Sequence, residues 1–167
     1  YIGLPMPAGK ILHKLLFKGN FIISPTLLIN SKLFFSLGGF PKNFLHASDY
    51  YVSCAISSKA DVLCVDEILT KYRIHDQNST LKEKALSYDE QIKIFKIWGK
   101  YTNCTDEDKE KRIRELNSFA GIMTIKYQKD FTKGLKRIVK HGSILFSLKS
   151  IFFHLIKHLN KQFFKEK

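Results

Sequence analysis

Asp49 is the residue of this chain best placed for acid–base chemistry. It lies in Gly38-Gly39-Phe40-Pro41-Lys42-Asn43-Phe44-Leu45-His46-Ala47-Ser48-Asp49-Tyr50-Tyr51, which reads as a helix stop, a turn, an exposed loop and a carboxylate at a helix start. A helix N-terminus suits a carboxylate, because its free amides and its dipole favour negative charge. On residue types alone two readings stay open. Asp49 either stabilises its own helix or serves as a general base on a rigid mount. His75 is a lone histidine beside a strand-like run, a setting in which histidine is usually structural or solvated. Cys54, Cys64 and Cys104 are odd in number and lack metal-ligand spacing, so buried free thiols in a reducing compartment are expected.

Three stretches position these residues. Residues 1–80 mix strand-like runs with short helices, residues 81–128 show helical periodicity, and residues 129–167 are basic and amphipathic. Phe21-Ile22-Ile23 and Thr26-Leu27-Leu28-Ile29, broken by Ser24-Pro25, suit buried strands, as do Val62-Leu63-Cys64-Val65 and Leu69-Thr70-Lys71-Tyr72-Arg73-Ile74. Ser31 is expected to cap a short helix through Leu37, which Gly38 and Gly39 stop. A second helix is expected from Ser48 to about Lys59. Ser87-Tyr88-Asp89-Glu90 has capping-box spacing before Ile92, Phe95 and Trp98, and Thr105-Asp106-Glu107-Asp108 offers another acidic N-terminus before Ile113, Leu116, Ala120, Met123 and Tyr127. Strands alternating with helices predict an α/β lobe, followed by a helical extension.

The order of these pieces resembles family 2 glycosyltransferases. The passage Gly19-Asn20-Phe21-Ile22-Ile23-Ser24-Pro25-Thr26-Leu27-Leu28-Ile29, the turn Gly38-Gly39-Phe40, the acidic-pair position Ser48-Asp49-Tyr50 and the run Tyr72-Arg73-Ile74-His75 follow one another as in that family. The resemblance covers roughly residues 10–80, about half the chain. It implies a partial GT-A (Rossmann-like) lobe over residues 1–80 and an inverting transfer from a nucleotide-sugar to an acceptor hydroxyl. Asp49 would be the base, with Gly38, Gly39, Phe40, Ser48 and Tyr50 shaping the acceptor side. Ser48 stands where the family usually has Glu. The resemblance also implies that His75 contacts the diphosphate or a catalytic divalent metal (Mg or Mn), and that Arg73 could pair with phosphate oxygens through its planar donor fork. The family's Asp-x-Asp metal motif has no counterpart here, since Asp106-Glu107-Asp108 has the spacing but follows the base and reads as a helix cap. The donor-binding half is therefore expected upstream. The opening at Tyr1, without the pattern of a signal peptide, agrees with a piece of something longer that would not turn over alone.

Charge adds a second expectation. The formal net charge is +13, and over residues 131–167 nine basic residues face one acid, Glu166, leaving +8. In Ser147–Lys165 the residues Leu148, Ile151, Phe152, Leu155, Ile156, Leu159 and Phe163 recur at helical spacing, with Lys149, Lys157, His158 and Lys161 largely opposite. Phe131, Leu135, Ile138, Val139 and Leu145 repeat the idea beside Lys133, Lys136, Arg137 and Lys140. Lysine and histidine interrupt the apolar run too often for a spanning helix. The pattern suits either an anionic membrane surface or packing on the lobe with a solvated lysine face. Nucleic acid ranks behind both, because no reader motif surrounds the basic residues. The leading expectation is a cytoplasmic, membrane-peripheral transferase fragment acting on a cell-envelope glycan or lipid-linked acceptor. The alternative is a non-catalytic basic module docking on anionic membrane or nucleic acid.

Overall fold

In a computed structural model, residues 7–71, 73 and 83–151 are described, and they form an all-α fold. The helices are α1 (Leu12–Lys18), α2 (Ser31–Ser36), α3 (Ser48–Ser57), α4 (Lys84–Trp98), α5 (Asp106–Met123) and α6 (Phe131–His141), followed by a helical stretch over residues 144–151. Short turns of 3-10 helix cover Ser24–Thr26 and Gly99–Tyr101, and a π-helical turn, Thr124–Gln128, extends α5.

The expected α/β lobe is overturned. No strand or sheet occurs among the described residues, so the GT-A (Rossmann-like) assignment does not hold for this chain as it stands. Among the described residues the pairing of β type is an isolated antiparallel bridge, in which Gly9 and Val62 exchange N–H···O bonds of 2.7 and 3.0 Å. The strand candidates around Ser24 are split by the 3-10 turn, and residues 63–71 follow an irregular path. Leu28 and Ile68 are fully exposed and Leu63 nearly so. A strand is held by a ladder from a neighbour, and none of these runs meets one among the described residues. Apolar composition alone does not distinguish a buried strand from an apolar loop. Tyr72 and Ile74–His75 lie outside the described residues.

The core joins both halves of the chain across residue 80. Ile11, Leu12, Leu15 and Leu16 of the α1 region, and Phe44, Ala47, Tyr50, Cys54 and Ala55 around α3, pack with Ile94, Phe95 and Trp98 of α4 and Leu116 of α5. Besides the Gly19 N–H, which donates to the Leu15 carbonyl at 3.0 Å, the end of α1 takes donors from other elements. The Tyr50 hydroxyl donates to the Leu15 carbonyl at 2.8 Å, and Arg112 Nε donates to that of Leu16 at 3.0 Å.

Local rules account for several helix ends. α2 stops in a Schellman motif, with Gly38 N–H donating to the Phe35 carbonyl and Gly39 N–H to that of Phe34, both at 3.0 Å. Both glycines have positive φ, 86° and 66°. The N-cap of α2 is Asn30, whose side chain accepts from Leu33 N, and not Ser31, which is the first helical residue. Thr105 caps α5 through the Asp108 N–H, with three acids in the first turn. α4 starts at Lys84, so Ser87 is not its cap and Glu90 lies inside the helix. Of the cysteines, Cys54 is buried, Cys104 half-buried and Cys64 exposed, the last against expectation.

Candidate functional site

Asp49 occupies the first turn of α3, a helix buried on most of its surface through Tyr50, Val52, Ser53, Cys54, Ala55 and Ser57. Its carboxylate is half-buried. Oδ1 accepts the Tyr50 N–H at 2.7 Å, and Oδ2 accepts the Ser24 hydroxyl. The 3-10 turn Ser24–Thr26 therefore sits over the head of α3. A hydroxyl on Oδ2 is the arrangement a general base requires of its substrate, and an acceptor hydroxyl would displace or join that of Ser24.

The loop before Asp49 is held from outside α3. Ala47, the N-cap residue, offers no side-chain cap. Glu90, in the second turn of α4, instead accepts three backbone N–H groups: Leu45 at 2.9 Å on Oε1, and His46 and Ala47 at 2.8 Å on Oε2. His46 Nδ1 lies 2.8 Å from Glu83 Oε2, tying the same loop to the start of α4. A buried carboxylate satisfied by three amides is a strong constraint, because hydrogen bonds to an ionised acceptor are short and directional.

The other expected site residues are partly assembled. Gly38 and Gly39 form the α2 stop, and Phe40 is exposed, its ring packed on Phe34 at 5.2 Å between centroids. Ser48 begins α3. Tyr50 faces inward to α1, and burial pushes its hydroxyl well above the ordinary tyrosine range, with Cys54 adding to the effect. It is a core residue, 3% exposed. Arg73 is exposed, while His75 lies outside the described residues. Among the described residues no group of three or more His, Cys, Asp or Glu could hold a metal ion.

Neither Ser24 nor Glu90 is expected near Asp49 from the sequence, which reads Ser24 as a break between strands and Glu90 as part of a capping box. Ser24 lies 25 residues from Asp49, and no local pattern links them. Glu90 did carry a signal, since it shares a row of residues spaced four apart with Ile94 and Trp98, both core residues. An open groove of about 780 Å³ lies beyond the Glu90 clamp, lined among others by His46, Asp89, Lys93, Lys96 and Arg137, and Asp49 is not part of its lining. Arg137 closes one side by pairing with Asp89 and with Asn117 Oδ1. Comparison with protein-family models, with curated proteins and with solved structures finds no match to this chain.

Proposed function

We propose that this chain carries the acceptor-side base of an inverting sugar transferase that uses a nucleotide-sugar donor, with Asp49 as that base. The observation that carries the reading is the Asp49 carboxylate, half-buried at the head of a packed helix, with a hydroxyl donating to its Oδ2. The ordered run of Gly38-Gly39-Phe40, Asp49 and Arg73 supports it. In the reaction, Asp49 takes the proton of the acceptor hydroxyl as that oxygen forms a bond to the anomeric carbon. The bond from that carbon to the nucleoside diphosphate breaks on the opposite face, which inverts the centre. The helix mount and the Glu90 clamp hold the carboxylate in place through this step.

The same reading sets the enzyme at the cytoplasmic face of a membrane, with a glycan or lipid-linked acceptor. Among the described residues no helix is long and apolar enough to cross one. The test uses the full product of the reading frame, assayed for nucleoside diphosphate release across a panel of nucleotide-sugars with envelope lipid extract as acceptor. Asp49→Asn should lower turnover by about 10²–10⁴-fold while donor binding stays within about twofold. Turnover that survives the substitution would remove Asp49 from the role.

A further inference from the structure

Among the described residues, the C-terminal helices leave a large apolar surface exposed. α6 buries Gly134 and Ile138 against α5, where a Cβ on Gly121 would meet Ile138 Cγ1 at 2.6 Å. Residues four apart fall in one row on a helix, so Phe131, Leu135 and Val139 form a second row beside that seam. This row faces outward: Phe131 is 63% and Val139 61% exposed. Over residues 144–151 the pattern recurs, with Ser147 buried while Ile144, Leu145, Leu148 and Ile151 are exposed, Leu145 at 66%. Seven large apolar side chains in 21 residues exceed the scattered exposure normal for a surface.

Charge identifies what this surface fits. Lys133, Lys136 and Lys140 occupy the remaining side of α6, all exposed, and Lys149 is exposed on the next helical stretch. None of the four forms an ion pair among the described residues. Residues 131–151 contain no Asp or Glu. An outward apolar row flanked by unpaired lysines is the arrangement of a helix lying in a bilayer interface, with side chains in the acyl boundary and ammonium groups at anionic headgroups. A nucleic acid would engage the lysines but offers no medium for the apolar row. We propose that α6 and residues 144–151 form a membrane-docking face specific for anionic lipid, using Phe131, Leu135, Val139, Leu145 and Leu148 as inserting residues. The inference does not depend on the transferase reading.

The test is co-sedimentation of the 167-residue chain with phosphatidylcholine vesicles, with and without phosphatidylglycerol. Binding should require the anionic lipid and weaken with added salt. The triple change Lys133→Gln, Lys136→Gln, Lys140→Gln should reduce the partition coefficient about fivefold per lysine. The pair Leu135→Asp and Val139→Asp should reduce it at least about tenfold, with circular dichroism confirming that the fold is retained. Failure to bind either vesicle, or binding unchanged by the aspartates, would overturn the proposal. So would a dimer in sedimentation equilibrium that the aspartates dissociate, since a second copy would then be the occupant. Loss on lysine removal alone, matched by equal binding to polynucleotide, would reduce the face to a general polyanion site.

Discussion

Replacing Glu90 should unfasten the loop that presents Asp49. The Glu90 carboxylate accepts the Leu45, His46 and Ala47 amides within 2.9 Å, and removing it strands them unequally. Ala47 is buried, so its N–H would lose a charged acceptor where water does not reach, a cost of about 1.5–3 kcal/mol. His46 is half-buried and should contribute about 1 kcal/mol, whereas Leu45 is exposed and its amide can turn to water at little cost. Glu90→Ala should therefore destabilise by about 3 kcal/mol, lowering the melting temperature by about 6–12 °C for a chain of this size. Glu90→Leu separates the clamp from lost packing, because its bulk suits the row of Ile94 and Trp98 while no acceptor remains. Urea denaturation gives the stability, and amide exchange locates it: Leu45, His46 and Ala47 should lose protection well before the α4 and α5 amides. A Glu90→Leu protein within about 0.5 kcal/mol of the parent would refute the clamp as an energetic feature. Unchanged exchange at residues 45–47 would refute it as a positional one.

The crossing of α5 and α6 depends on two glycines at close approach. A Cβ on Gly121 would lie 2.8 Å from the Gly134 carbonyl oxygen, and one on Gly134 would lie 2.6 Å from that of Gly121. Gly134→Ala should destabilise by about 2–3 kcal/mol in urea titration, and a neutral result would mean that the helices do not cross at this point. Stability should also fall at high pH. Burial raises the hydroxyls of Tyr50 and Tyr88 and the thiol of Cys54 above their ordinary values, so the folded state holds these protons more tightly than the unfolded state. Their contribution is complete below the unfolded pKa values and is lost as pH rises above about 9–10. The urea midpoint should be flat from about pH 7 to 9 and decline beyond, less steeply in Tyr50→Phe; a midpoint level to about pH 11 would contradict this.

Helices were legible because their rules are local. The stop at Gly38-Gly39 follows from a left-handed position that glycine fills without steric cost, and the Thr105 cap from a hydroxyl three residues before an amide. The local reading misses α1 altogether and shifts two helix starts: Asn30, not Ser31, caps α2, and α4 starts at Lys84, not at Ser87. The exposed apolar row of α6 was visible as periodicity, but periodicity does not say which of two adjacent rows is buried. Gly134 against Gly121 decided that Ile138 turns inward and Val139 outward.

By itself the sequence determined several helix ends, the place of Asp49 at the head of one helix, and that basic charge gathers toward residue 167. Each depends on residues within a turn or two, since helix hydrogen bonds and caps span three or four positions. Strands depend on remote ladders, so the apolar runs at residues 21–29 and 62–71 could not be assigned from composition, and in the structure they are not strands. The surroundings of Asp49 are equally remote: Ser24 reaches it across 25 residues, and Glu90 grips its loop across 43 to 45. Such contacts follow from how α3, α4 and the Ser24 turn pack together, and only the tertiary structure decided that.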